Sequence, residues 1–177
     1  MTLPPMSRPA VPPRDDRYYA LGQLVETAAV MEIALRLTFC VLVGGKYAAV
    51  VGGEQETHWL IETCDDVTRH HGDLSVPQRD AIRAALRACR EANRDRNRLV
   101  HDAWGTGPDG APATFSGGQQ SYQISGRVWN IAQIQAAADA SASAQHTLLG
   151  AIEESFGLGS VQAAEEQLAA YAVERGR

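Results

Sequence analysis

Cysteine is scarce in this sequence: Cys40, Cys64 and Cys89 are an odd number in 177 residues, widely spaced, with no C-x-x-C pair. That excludes a disulfide framework and the usual zinc spacings, and it predicts reduced thiols in a cytoplasmic protein. Long apolar runs are lacking too. The most apolar stretch, 28–51, is broken by Glu32, Arg36, Lys46 and Gly44-Gly45, which argues against a membrane span. The first residues carry Pro4, Pro5, Pro9, Pro12 and Pro13 and no apolar core of the kind a secretory signal needs. Residues 1–17 therefore read as a disordered Pro-rich arm ahead of one domain over 18–177, a length that buries a core without staples. Positive charge is in short supply: the formal net charge of −5 disfavours a protein that coats nucleic acid through counterion release. Repeats and long heptad runs are absent, which excludes a solenoid and a coiled coil.

What is present is helical periodicity. From Tyr18 to about Val43 the apolar residues Leu21, Leu24, Val25, Ala28, Met31, Leu35, Phe39 and Leu42 follow the three-and-four spacing of a long amphipathic helix, in which Glu32 and Arg36 can pair across one turn. Gly44-Gly45 and Gly52-Gly53 bracket a turn region around 47–51. A second helix is predicted from Thr57 to His70, with Trp59, Leu60, Cys64 and Val67 inward and Gly72-Asp73 as its stop. Ser75 followed by Gln78, with Pro77 in the first turn, marks the start of a third helix that runs to about Val100. Gly105, Gly107, Pro108, Gly110 and Pro112 predict a loop, and 113–129 a small hairpin in which Tyr122, Ile124 and Val128 alternate and Gly117-Gly118 turns. A fourth helix runs from the cap Asn130 to Phe156. A last one starts at Ser160 with Val161, Ala164, Leu168 and Tyr171 inward. The fold class is all-α, a helical bundle with a small β-hairpin inserted after the third helix.

The third helix carries the chemistry. Ile82, Leu86, Cys89 and Val100 fall together at 100° per residue, and Ala81, Ala85, Ala88, Ala92 and Leu99 widen that face. Arg79, Arg83, Arg87, Arg90, Arg94 and Arg98 form a stripe on roughly the opposite side, either a solvated basic face or a surface that attracts phosphate backbones. Arg96 belongs to neither set: it falls within the apolar face, flanked by Asn93 and Asn97, where an unpaired guanidinium is costly to desolvate. Its structural explanation is an ion pair with Glu26 or Glu62. Its functional explanation is a site.

Arg96-Asn97-Arg98-Leu99-Val100-His101, followed by Trp104, resembles the motif of HEPN proteins, in which an arginine and a polar residue precede a histidine by four to six intervening positions. Arg94 satisfies a longer gap to the same His101, but it lies in the basic stripe. Residues five apart on an unbroken helix are about 140° apart, so Arg96 and His101 converge only if the helix ends or loosens near Val100. The resemblance implies a HEPN-like helical domain and a metal-independent endoribonuclease, a toxin or defence effector that cleaves RNA by 2′-OH attack. On that basis Arg96, His101 and Asn97 are the catalytic candidates, and Arg90, Arg94 and Arg98 the RNA-binding ones. Imidazole ordinarily titrates near neutrality and serves as base or acid. A guanidinium offers a permanently charged fork to phosphate oxygens. The resemblance also implies a homodimer whose site forms where two protomers meet, with RNA as partner and an antitoxin or regulatory protein as a further one. The alternative is a non-catalytic HEPN-like module that binds RNA, nucleotide or a partner protein.

No metal or cofactor is expected. His58, Cys64, His70 and His71 match no common ligand spacing, the Gly-Gly pairs lack the rest of a phosphate loop, and no G-x-S-x-G occurs. Trp104 reads as a packing residue that seats the helix end.

Overall fold

The computed structural model describes residues 16–45, 47–107, 110–117 and 124–175. Among them the order is α1 (Asp16–Val43), α2 (Ala48–Gly52), α3 (Thr57–His70), α4 (Val76–His101), β1 (Ala103–Thr106), β2 (Pro112–Gly117), β3 (Ile124–Val128), α5 (Ile131–Phe156) and α6 (Ser160–Arg175). This is the expected helical bundle with a small antiparallel insertion after α4. Asp16 and Arg17, expected in the arm, instead open α1; the rest of the arm, 1–15, lies outside the described residues.

Local signals set the helix ends. Gln78 accepts from the Ser75 backbone N–H at 2.9 Å at the start of α4. Asn130 and Gln133 exchange side-chain and backbone hydrogen bonds of 2.8 and 2.9 Å at the start of α5, the reciprocal capping that spares two orphan donors. At the far end of α4 the Trp104 indole N–H donates to the Leu99 carbonyl at 2.9 Å, satisfying an acceptor the helix cannot satisfy itself. Trp104 therefore seats the helix end, as expected.

α1 packs most extensively against α5, and α4 packs against both α3 and α5. One buried cluster joins Met31, Leu35 and Phe39 of α1 to Leu60, Ile61 and Cys64 of α3, to Ile82, Leu86 and Cys89 of α4 and to Leu148 and Ile152 of α5. A second cluster gathers Ala20, Leu24, Leu99, Trp129 and Ile134 and pins the last turn of α4 against the starts of α1 and α5. The inward faces differ in detail from the sequence reading. Trp59 lies partly exposed against Phe39, with ring centroids 5.5 Å apart, Ile61 and Thr68 join Leu60 and Cys64 as the buried residues of α3, and Val67 packs half-buried against the core as expected. In α4, Ala81, Ala88 and Val100 are exposed and the buried row runs through Ile82, Leu86, Cys89 and Asn93.

Two segments depart from the sequence reading for tertiary reasons. Residues 103–106, expected as helix end and loop, form β1, and the hairpin becomes a three-stranded sheet in the order β1-β2-β3. Ala103 pairs with Phe115, and Phe115 with Gly126. A Cβ on Gly105 or Gly126 would come within 3.0 Å of the Phe115 ring, so these glycines make room for an aromatic lying across the sheet. Tyr122 and Gly118 fall outside the described residues. Tyr47 to Val51, expected as a turn, contributes the short helix α2.

Candidate active site

A polar cleft of about 530 Å³ opens where three parts of the chain meet. α1 contributes Glu32 and Arg36, the segment 54–58 contributes Glu54, Gln55, Glu56, Thr57 and His58, and α4 contributes Asn93, Arg96, Asn97 and His101. The α4 wall follows from the buried row of that helix. Continuing the row beyond Ile82, Leu86 and Cys89 reaches Asn93, only 8 % exposed, and then Arg96, half-buried. The core stripe ends in polar side chains because the cleft begins there.

Arg96 and His101 meet. Arg96 Nη1 lies 3.0 Å from His101 Nε2 and donates to Asn97 Oδ1 at 2.8 Å. The helix runs unbroken to His101 and turns extended at Asp102, so the long arginine side chain closes the angular gap within the final turn. A guanidinium accepts no hydrogen bond. The contact therefore uses the Nε2 lone pair and leaves the imidazole proton on Nδ1. Among the described residues no carboxylate forms an ion pair with Arg96, and its Nη2 and Nε donors have no partner. Glu62, one of the two proposed structural partners, is held instead by Arg90 at 2.9 Å; the other, Glu26, is exposed on α1. Arg94 and Arg98 are exposed and lie outside the cleft lining. The basic stripe is thus partly spent on packing, since Arg83 bonds Asp65 at 2.8 Å and Arg90 bonds Glu62, both tying α4 to α3.

The opposite wall is shaped by Arg36. Its Nη1 donates to the carbonyls of Gly52, at 2.7 Å, and Gly53, and its Nη2 donates to Gln55 O at 3.1 Å and to Glu32 Oε1 at 2.5 Å. Thr57 Oγ1 completes the set by donating to Glu32 Oε2 at 2.9 Å. The two glycines are needed for close approach: a Cβ on Gly52 would strike Phe39, and one on Gly53 would strike Tyr171 and the Ala49 carbonyl. Burial pushes the Glu32 carboxyl upward, but hydrogen bonds from Arg36 and Thr57, with the fields of Arg36 and Arg96, outweigh it and hold the carboxylate below its ordinary range. Glu32 is thereby neutralised by Arg36, and Glu54 pairs with Arg175. Arg96 is left as the cleft guanidinium with donors to spare.

The sequence reading named the α4 wall and missed the other one. Its available signal was the Glu32–Arg36 pair in an otherwise apolar helix. The three thiols lie elsewhere, in the core, where burial pushes Cys64 and Cys89 up to about 12 and raises Cys40. No group of three His, Cys, Asp or Glu suited to a metal occurs among the described residues, and none of their helices is long and apolar enough to cross a membrane. Comparison of the chain with protein families, with curated proteins and with solved structures returns no match.

Proposed function

We propose that this chain is a metal-independent endoribonuclease of HEPN type, with Arg96 and His101 as its catalytic pair. The observation that carries the reading is their 3.0 Å contact at a polar cleft, made by a guanidinium that has unused donors and no carboxylate partner among the described residues. His101 removes the proton from a ribose 2′-OH, the oxygen attacks the adjacent phosphorus, and the bond to the 5′ oxygen breaks as that oxygen gains a proton. Arg96 turns its fork to the phosphate oxygens as charge builds, and Asn97 steers the guanidinium it already bonds. Substrate phosphate competes with His101 for the Arg96 donors, which frees the Nε2 lone pair for its work as base. On this reading the chain acts as a cytoplasmic homodimer, a toxin or defence effector restrained by an antitoxin or regulatory protein, with Arg94 and Arg98 meeting RNA outside the cleft.

Purified protein mixed with total RNA in excess chelator tests the proposal. Cleavage should persist, its products should end in a 2′,3′-cyclic phosphate or the derived 3′-phosphate, and a 2′-deoxy substitution at the scission position should block it. Cutting of the deoxy substrate would refute the mechanism. The second reading is a non-catalytic pocket for RNA, nucleotide or a protein; its protein version draws support from the Glu56 carboxylate on the cleft wall, Glu54 being paired with Arg175. Retention of RNA or nucleotide without any cleavage would establish it.

A further inference from the structure

Transesterification needs two proton transfers, and the α4 motif supplies one imidazole. We infer that His58, on the opposite wall, is the second: the general acid that protonates the departing 5′ oxygen, so that one chain carries both acid and base. The inference rests on the ribonuclease reading.

His58 lies in the first turn of α3 and lines the same cleft as His101. Its side chain is 75 % exposed, so packing does not account for it. The two rings have different surroundings. His101 turns Nε2 to a guanidinium, an arrangement that keeps a lone pair at that atom. His58 turns Nδ1 toward Glu62 Oε1, 3.9 Å away. That carboxylate is fixed from behind by Arg90, whose Nε and Nη2 lie 3.0 and 2.9 Å from the same oxygen. A carboxylate facing Nδ1 favours the imidazolium, the form whose Nε2–H is the transferable proton of a general acid. Among the described residues the Nε2 atom of His58 has no partner. Arg90, read from sequence as an RNA contact, is on this account a positioning residue that acts through Glu62. The cleft volume lies within the range of small-ligand sites, so groups on its two walls can address one phosphodiester. The balance closes within one chain: the 2′-OH proton passes to His101, the P–O5′ bond breaks, and the His58 proton goes to the 5′ oxygen.

Two substrates separate the roles. The dinucleotide UpA leaves as an alkoxide that must be protonated, whereas uridine 3′-(4-nitrophenyl phosphate) leaves as a phenolate that needs no proton. His58→Ala should cut kcat on UpA by about 100-fold or more, the usual yield of a positioned acid, and lower it on the aryl ester by no more than a few fold. His101→Ala should abolish both, with far-UV circular dichroism reporting an intact fold in each variant. Unchanged UpA cleavage by His58→Ala, or equal losses on both substrates, would overturn the acid role while leaving the ribonuclease reading intact. A wild-type protein that cleaves neither substrate would remove both. A purified heterodimer of one wild-type and one doubly substituted His58→Ala, His101→Ala chain should keep about half of the UpA activity, and near-complete loss would place the acid across the two-fold axis instead.

Discussion

Replacing Arg36 with Met keeps the aliphatic stem and removes four hydrogen bonds from the wall opposite the motif. Counted singly, bonds to a charged group contribute about 1.5–3 kcal/mol each, and their sum would exceed what one residue can supply in a marginally stable fold. The structure says why the sum overshoots. The side chain is 18 % exposed, and the carbonyls of Gly53 and Gln55, in residues that are themselves half-buried, can rehydrate from the cleft. Glu32 also keeps the Thr57 hydroxyl and the field of Arg96. What remains is a carboxylate that loses its guanidinium and a buried Gly52 carbonyl that loses its donor. That places the cost near the lower end for broken buried pairs, about 3 kcal/mol. For a chain of this length the shift in Tm is about 2–4 °C per kcal/mol, hence a fall of roughly 6–12 °C. Thermal and urea unfolding followed by circular dichroism would measure it. A double-mutant cycle with Glu32→Gln should return a coupling of about 1 kcal/mol or more. A loss under about 1 kcal/mol, the value of an ordinary surface ion pair, would refute the view that Arg36 holds this wall.

Arg96→Ala should lower RNA cleavage by about 100-fold or more, as loss of a donor to transition-state charge does, with stability altered by less than about 1 kcal/mol. Arg94→Ala should weaken RNA affinity at most, and equal catalytic losses in single-turnover assays of the two would show the wrong arginine has been chosen. Stability should also depend on acid. The folded-state carboxyl of Glu32 titrates below its ordinary value of 4.5, so its contribution is complete above that value and is lost as pH falls through the lower one. Glu32→Gln should flatten this limb in urea titrations repeated at stepped pH, and an unchanged slope would count against the pairing described.

Much of this architecture is legible in the sequence because its signals are local. Thr57–His70 is marked by its stop, and the starts of α4 and α5 by Ser75 with Gln78 and by Asn130. What escapes is what distant residues decide. All four residues of β1 are exposed, so it offers no alternation to read, and Gly105 signals a loop until the Phe115 ring from β2 is laid across it. α2 looks like a turn between glycine pairs because Arg36, sixteen residues earlier, is what binds its terminal carbonyls. In the site, Arg96 stands out on a helical wheel as a charge on an apolar face. No wheel of α4 could find His58, or show that Arg90 and Arg83 are occupied by acids of α3.

The two halves of the candidate site differ in when they can exist. The Arg96–His101 contact joins residues five positions apart on one helix and needs no more than about the last turn and a half of α4, whereas the cleft requires 52–57 to be bound by a guanidinium from α1 and brought against α4. A chain in which α1 has come loose would hold the motif without the enclosure. The wall built on Arg36 therefore makes the enclosed cleft a property of the completed fold, and on the proposed ribonuclease reading a peptide containing the motif alone would be inert.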